Sequence, residues 1–261
     1  MCIRDSSTVG ADATTAGAAV VTVGNSDTAS ITFAGVEFTT SGAQTFTADA
    51  YSITGADSTF GSSNDNITFA DGGADGGITL ADIADLTITT EIGGSGGGNI
   101  AVNVPIAGTS GDGDDATDVT MTAGSGTITV EDITTDINDV LLTSTGGISL
   151  DGSITTAVDS DETGATSGVV TLTGPVTLAG NTTIDTDSTS NNGAVTFSST
   201  VDGAKTLTIT SGSGAVQFGG NIGATTALSD VTVNSSAGTG AITFSGSCLL
   251  YTSDAADDMQ C

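Results

Sequence analysis

The chain repeats one six-residue word in its last third: Asn192-Gly193-Ala194-Val195-Thr196-Phe197, Ser213-Gly214-Ala215-Val216-Gln217-Phe218 and Thr239-Gly240-Ala241-Ile242-Thr243-Phe244. Apolar and polar side chains alternate after each glycine, which is the two-residue period of a β-strand. Val195 and Phe197 would then lie on one side of the strand and Thr196 on the other. The word therefore predicts short strands with one buried face.

A looser form of this word, glycine followed by two apolar residues at alternate positions, starts at glycines twenty to twenty-eight residues apart: Gly76, Gly98, Gly126, Gly146, Gly168, Gly193, Gly214 and Gly240. A second apolar word, such as Leu207-Thr208-Ile209, and a shorter third one lie between successive glycines. Three short strands per unit of this length are typical of a solenoid. The sequence predicts an all-β, right-handed parallel β-helix of about ten coils, with little or no helix.

Stacked coils place like residues above one another, about 4.8 Å apart. The alignment predicts one inward ladder through Ile128, Ile148, Val170, Val195, Val216 and Ile242. Each repeat glycine is expected either to adopt a positive φ at a corner or to let two coils approach closely. The predicted corner and core positions are Gly126, Ile128, Gly146, Ile148, Gly168, Val170, Gly193, Val195, Phe197, Gly214, Val216, Phe218, Gly240, Ile242 and Phe244.

The charge balance is strongly acidic, with 31 Asp and Glu, two Lys and Arg, and a formal net charge of −29. Such a charge argues against a nucleic-acid groove and against insertion into an anionic membrane. The hydrophobic share of 37% is high enough for a narrow core and argues against disorder. Acidity is instead expected to give solubility, outward repulsion or cation binding.

The two ends of the chain differ from the rest. Residues 1–6 and 248–252 can be encoded by opposite strands of one DNA word, ATGTGTATAAGAGACAG, as expected of a translated sequencing adapter from a metagenomic library. We therefore expect residues 1–6 and 248–261 to be adapter-like, residues 7–75 to form a degenerate β-repeat region and residues 76–247 to form regular coils. All three cysteines and Arg4 fall in the adapter-like ends, which leaves Lys205 as the basic residue of the repeats.

The repeats resemble those of filamentous-haemagglutinin-like and autotransporter-type bacterial surface adhesins. Gly193-Ala194-Val195-Thr196-Phe197, Leu207-Thr208-Ile209-Thr210 and Val231-Thr232-Val233 carry the resemblance. It implies a fragment of a secreted or cell-surface stalk or passenger region, without catalytic residues. The implied partners are flanking repeats of the same longer chain, cell-surface glycans or other proteins.

Two other functions stay open: a carbohydrate-active β-helix enzyme and a calcium-binding or other ligand-binding repeat module. Glycoside hydrolysis needs two carboxylates facing each other across a groove. The paired acids of the sequence, Asp185 with Asp187 and the group Asp159, Asp161 and Glu162, lie in polar runs that read as loops. The densest acidic run contains Asp112, Asp114, Asp115 and Asp118, which are weak candidates for a Ca²⁺ site because carboxylate oxygens suit that ion.

Threonine pairs such as Thr87 with Thr89, Thr127 with Thr129 and Thr208 with Thr210 resemble the words that order water on ice-binding solenoids. Such a surface requires the pair to recur on one flat face in each coil. Ala101, Ser149 and Gln217 are expected at the equivalent outward position of other coils. The β-propensity of threonine is therefore the simpler explanation.

Overall fold

The computed structural model describes residues 2–3, 20–55, 57–73, 76–82, 84–92, 94, 96–109, 117–156, 168–187, 192–234 and 240–250. Within these ranges the regular elements are 27 strands, numbered in chain order, and no helix is present. All strands pair in parallel and belong to three sheets of ten, nine and eight strands. The predicted all-β parallel solenoid is confirmed.

Sheet A contains β1 (Cys2–Ile3), β3 (Ile31–Ala34), β6 (Tyr51–Thr54), β9 (Ile78–Leu80), β12 (Ile106–Gly108), β15 (Ile133–Thr134), β18 (Ile154–Thr155), β21 (Thr182–Asp185), β24 (Thr206–Thr210) and β26 (Asp230–Asn234). Sheet B contains β2 (Val21–Gly24), β5 (Gln44–Ala48), β8 (Ile67–Asp71), β11 (Ile100–Asn103), β14 (Ile128–Val130), β17 (Ile148–Leu150), β20 (Val176–Leu178) and β23 (Val201–Asp202). Sheet C contains β4 (Glu37–Thr40), β7 (Ser58–Ser62), β10 (Leu86–Thr89), β13 (Val119–Gly124), β16 (Val140–Ser144), β19 (Val170–Thr173), β22 (Val195–Phe197), β25 (Val216–Phe218) and β27 (Ile242–Phe244).

Each turn of the solenoid passes through sheets B, A and C in that order. The described strands β2 to β25 form eight complete turns, and β26 and β27 add most of a ninth. This number is close to the ten coils expected from the sequence. At about 4.8 Å per turn, the eight turns make a stack roughly 40 Å long.

The repeat word does not stay on one face of the solenoid. Ile128 pairs with Ile148, but Ile148 pairs with Val176 in sheet B and not with Val170. Val170, Val195, Val216 and Ile242 form a separate ladder in sheet C. The single predicted ladder is therefore wrong: the glycine word marks a strand of sheet A at Gly76, strands of sheet B from Gly98 to Gly146 and strands of sheet C from Gly168 onward.

Inward side chains of all three sheets form one continuous core. Val195 and Phe197 have no solvent exposure, as their alternation with Thr196 predicted. At the C-terminal end the rings of Phe197, Phe218 and Phe244 stack in sheet C, with successive centroids 5.0 Å apart and interplanar angles of 5° and 2°.

The first turns have an aromatic core that the sequence pattern did not reveal. It consists of Phe33, Phe38, Phe46, Phe60, Phe69 and Tyr51. Most neighbouring rings meet edge to face, for example Phe33 and Phe60 with centroids 4.9 Å apart. Burial raises the pKa of Tyr51 to about 12, and the Tyr51 hydroxyl lies 2.6 Å from the Ala70 carbonyl oxygen and accepts the Ala48 N–H at 3.0 Å. The described residues of the first turns thus have a buried apolar core, as the later repeats do.

Buried hydroxyl groups hold the carbonyl groups of the corner glycines. A serine or threonine at the end of a strand, or directly after it, points inward and donates to the carbonyl oxygen of a repeat glycine. This glycine opens the next repeat word, except that Ser144 donates to the glycine of the preceding word. The pairs are Thr90 with Gly98 (2.9 Å), Ser144 with Gly126 (2.5 Å), Thr156 with Gly168 (2.8 Å), Thr186 with Gly193 (2.8 Å) and Ser211 with Gly214 (3.1 Å). Each bond satisfies a carbonyl that lies at a corner, outside the strand ladders.

Close approach of adjacent turns, rather than backbone conformation, explains the repeat glycines. None of the eight has a positive φ. A Cβ added at Gly193 would lie 1.7 Å from the Gly168 carbonyl oxygen, and one added at Gly126 would lie 2.0 Å from the Gly98 carbonyl oxygen. Of the two reasons expected from the sequence, the second is therefore correct.

We predict that Gly193→Ala destabilises the solenoid by about 1 to 3 kcal/mol, because the new methyl group would overlap a carbonyl of the turn below. Gly94→Ala is the matched control, since a Cβ at Gly94 would meet no atom within 4 Å. Chemical denaturation followed by circular dichroism measures both changes. Equal stability of the two variants would contradict close packing at this corner.

Candidate functional site

Three aspartates occupy one corner of the solenoid in successive turns, where the chain enters sheet C. Asp85, Asp118 and Asp139 precede β10, β13 and β16. The Asp118 N–H donates to Asp85 Oδ1 at 2.9 Å, and the Asp139 N–H donates to Asp118 Oδ1 at 3.0 Å. Asp139 Oδ1 in turn accepts the Val169 N–H at 2.7 Å. Each carboxylate therefore caps a backbone group of the next turn, as short polar side chains do at turns.

Of the four predicted calcium ligands, only Asp118 lies within the described residues. Asp112, Asp114 and Asp115 lie outside them. Asp118 Oδ1 accepts two hydrogen bonds, from the Asp139 N–H and from Asn138 Nδ2 at 3.1 Å. No group of three or more His, Cys, Asp or Glu side chains suited to a metal ion is present among the described residues. A calcium site stays a prediction.

Asp85, Asp118 and Asp139, which we call the aspartate column, hold their carboxylates at a corner that is partly buried from solvent. Burial raises the pKa of Asp85, and the nearby Asp118 and Asp57 charges raise it further, against the effect of the Asp118 N–H. Burial also raises the pKa of Asp139, with Asp118 adding to the rise. A carboxyl with a raised pKa holds its proton more tightly in the folded chain than in the unfolded one. Asp85 and Asp139 thus favour the fold at acidic pH.

A second acidic feature lies at the corner between sheets B and A. Asp71, Asn103 and Glu131, with Gly76, Val104 and Pro105, line an open groove of about 320 Å³. Burial raises the pKa of Glu131, and the charges of Asp151, Asp132 and Asp71 add to the effect. Carboxylate and amide oxygens around a groove can accept hydrogen bonds or attract cations.

The sequence did not predict this groove because its polar residues are about thirty positions apart. Asp71 and Asn103 end β8 and β11, and Glu131 directly follows β14. Their common position emerges only from the register of sheet B, in which Ile67, Ile100 and Ile128 are paired. A search for polar residues at the end of every sheet B strand would have found it.

The acid pairs of the sequence that were weighed as hydrolytic candidates do not form a facing pair among the described residues. Asp185 Oδ1 accepts the Asp187 N–H at 3.0 Å, so these two residues belong to one local turn after β21. Asp159, Asp161 and Glu162 lie outside the described residues. Hydrolysis of a glycosidic bond would require two carboxyl groups on opposite sides of the bond.

The outward side of sheet C carries two neighbouring columns of threonines. Thr87 and Thr89 pair with Thr120 and Thr122, and the next turns continue with Thr143, Thr171 and Thr173. Leu141, which is 39% exposed, interrupts one column. Successive turns are about 4.8 Å apart, and the two columns are roughly 6.7 Å apart along each strand.

The register changes the interpretation of the threonine pairs. Ala101 and Ser149, expected to break the pattern, lie in sheet B, while Gln217 does lie in sheet C. The pairs at Thr129 and Thr208 lie in sheets B and A. From β7 to β27 no outward position of a described sheet C strand holds an acid. From β7 onward sheet C therefore presents an uncharged surface in a highly acidic chain. We call its central part the threonine face (outward residues of β10, β13, β16 and β19).

No protein-family model, curated protein or solved structure matches the chain. Among the described residues, no helix has the length and apolar character needed to span a bilayer. The parallel β-solenoid itself is typical of repeat proteins. The aspartate column, the groove and the threonine face are thus the features on which a function can be argued.

We predict that the free energy of unfolding rises as pH falls from neutrality toward the ordinary pKa of a carboxyl group. Protonation of Asp85, Glu131 and Asp139 stabilises the fold, because their pKa values are raised in the folded chain. This stabilisation is fully present below the ordinary pKa of a carboxyl group and is lost as pH rises through the raised pKa values. Asp139→Asn keeps the Oδ1 acceptor but removes the charge, so it should stabilise the chain at pH 7 and flatten this dependence. Denaturation at several pH values measures both. A wild-type stability that falls continuously on acidification would contradict the prediction.

Proposed function

We propose that the chain is a structural and adhesive segment of a large secreted or surface-exposed bacterial repeat protein. Its role is to hold the threonine face at a fixed orientation toward a target, without a catalytic step. Flanking repeats of the same longer chain would extend the rod. The resemblance of the repeat words to adhesins agrees with this role.

The threonine face is the observation that carries the proposal. A threonine hydroxyl both donates and accepts hydrogen bonds, and its methyl group adds apolar contact. The sheet spaces these threonines regularly, so a partner with a regular array of hydroxyl groups can form many such contacts at once. The further cost in side-chain entropy is small, because β-branched side chains are already restricted at χ1. Neutral polysaccharides have such arrays.

The charge distribution of the chain limits the kinds of polymer that the threonine face can bind. The threonine face lacks acids, whereas the chain as a whole has a net charge of −29. Anionic polymers would be repelled by the flanks of the rod. Uncharged glycans at a cell surface are therefore the favoured target.

The rod form supports a mechanical role. All three sheets continue from turn to turn, with one register shift in sheet C between Thr122 and Gly124, and the inward residues form one core. Force applied along the axis would load hydrogen bonds of three sheets together. Each turn contacts its two neighbours, so stability adds up along the rod.

Removing hydroxyl groups from the threonine face tests the adhesive role. We expect Thr120→Val with Thr171→Val to reduce cosedimentation with insoluble neutral polysaccharide several-fold, because valine keeps the shape and β-propensity of threonine but cannot form the hydrogen bonds. The control, Thr129→Val with Thr177→Val in sheet B, should bind like the wild type. A wild type that binds no such polysaccharide, or equal losses in both variants, would contradict the proposal.

The same face favours one second candidate, contact with an ordered water lattice such as ice. Two threonine columns at fixed spacing are the supporting observation. Thermal hysteresis in the wild type that disappears in the sheet C variant but not in the sheet B control would favour ice binding over glycan adhesion.

A further inference from the structure

One loop folds back over the outward side of sheet C, close to β4 and β7. After β10 the chain reverses direction, and Glu91 forms an antiparallel bridge with Ser63, although the strands of the sheet pair in parallel. The Ile92 N–H donates to the Ser62 carbonyl oxygen at 3.1 Å. We call Glu91 and Ile92 the strap.

The strap lies on one of the two threonine columns of sheet C. The positions of this column, in chain order, are Thr39, Gly61, Thr89, Thr122, Thr143 and Thr173. The Ile92 side chain fills the space that Gly61 leaves, since a Cβ added at Gly61 would lie 1.9 Å from Ile92 Cδ1. The Glu91 N–H donates to Thr89 Oγ1 at 3.2 Å. The strap thus contacts the column as a ligand would, with an apolar group and a hydrogen-bond donor.

Two hydroxyl groups near the strap are buried without a hydrogen-bond partner. Thr39 is 9% exposed, and its Oγ1 lies 3.6 Å from the Gly61 Cβ position that Ile92 occupies. Neither Thr39 Oγ1 nor Ser63 Oγ has a partner among the described residues. A buried hydroxyl without a partner lowers stability, because its bond with water is lost. Opening of the strap would return these hydroxyls to water.

One apolar side chain and a small number of hydrogen bonds hold the strap closed. Its described neighbours in the loop, Gly94 and residues 96–98, are glycines, so Ile92 supplies the apolar side chain. Ile92 is itself only half-buried. The N–H groups of the strap can bond with water when it opens, so their loss is partly replaced. The burial gained on closing is therefore of the same order as the cost of the two unpaired hydroxyls.

We propose that the strap is a displaceable cover of the threonine column, which opens when a neutral polysaccharide binds. This inference rests on the proposed adhesive function of the threonine face. With the strap open, the column extends by two turns, to Gly61 and Thr39. Sugar hydroxyls would replace the Glu91 N–H as donors to Thr89 Oγ1 and would pair with the Thr39 hydroxyl.

The cover would regulate binding by limiting the share of molecules that can use the whole column. A ligand that binds the open state better shifts the population toward that state. Its apparent affinity is reduced in proportion to the fraction of molecules that are open beforehand. Weakening the strap should therefore strengthen binding, and locking it should weaken binding.

Thiol labelling measures opening of the strap without any ligand. In a chain with its three cysteines replaced by serine, Thr39→Cys places a thiol under Ile92, and Thr143→Cys places one in the same column away from the strap. We expect a maleimide to label Thr39→Cys more slowly than Thr143→Cys. Ile92→Ser removes the apolar contact, so it should raise the rate at Thr39→Cys at least about tenfold and leave the rate at Thr143→Cys unchanged. Equal rates at the two sites, or no response to Ile92→Ser, would overturn the proposal.

A disulfide across the bridge can hold the strap closed. Ser63 and Glu91 are a non-hydrogen-bonded antiparallel pair, because the bonds donated by the Ile92 and Asn64 N–H groups lie on either side of it. The Cα atoms of such a pair are about 4.5 Å apart, a separation that a disulfide spans. Ser63→Cys with Glu91→Cys, in the chain whose other cysteines are serine, should form this bond on oxidation.

Cosedimentation with insoluble neutral polysaccharide compares the oxidised and reduced forms of this variant. We expect the reduced form to bind at least about threefold more than the oxidised form, and Ile92→Ser to bind more than the wild type. The cysteine-free chain, treated with the same oxidant, should bind equally before and after treatment. Equal binding by the oxidised and reduced forms, with a wild type that binds, would overturn the role of the strap and leave the proposed adhesion intact. Absence of binding in every form would contradict both.

Discussion

The structure depends on hydrogen bonding between successive turns of a parallel solenoid, which fixes neighbouring backbones about 4.8 Å apart. At the corners this spacing leaves no room for a side chain that points toward the adjacent turn. A Cβ at Gly214 would lie 2.0 Å from the Gly193 carbonyl oxygen, and one at Gly240 would lie 2.2 Å from the Gly214 carbonyl oxygen. This one constraint explains the glycine positions. It also explains why buried hydroxyls hold the glycine carbonyls and why aspartates cap the next turn.

Charged and uncharged side chains occupy different parts of the solenoid, the corners and the sheet faces. Carboxylates such as Asp85, Asp118 and Asp139 lie at corners, where backbone N–H groups of the next turn need partners. The sheet C face carries threonines, whose β-branched side chains suit strands. A chain with a net charge of −29 can thereby keep an uncharged surface on sheet C from β7 onward. The proposed adhesive role follows from this separation rather than from any single residue.

Strand-forming words and their buried positions could be read from the sequence, because alternation with a period of two is a local property. Val195, Phe197, Val216 and Phe218 are buried as that pattern indicated. The sheet to which each word belongs could not be read, because the length of each turn varies and the same word fits sheet B at Ile148 and sheet C at Val170. The groove and the threonine face depend on that assignment, so local patterns did not reveal them. Inward hydroxyls such as that of Thr186 were missed because the residue type alone does not show whether a threonine points inward or outward.

The central claim is the three-sheet register, and a distance between two spin labels on sheet C tests it most directly. Thr59 and Thr196 are outward residues five turns apart through Thr87, Thr120, Leu141 and Thr171. With the three cysteines replaced by serine and cysteines introduced at these two positions, double electron–electron resonance on dilute samples should give one narrow distribution near 24 Å. A broad distribution, or a narrow one centred more than about two turns from this value, would contradict the register.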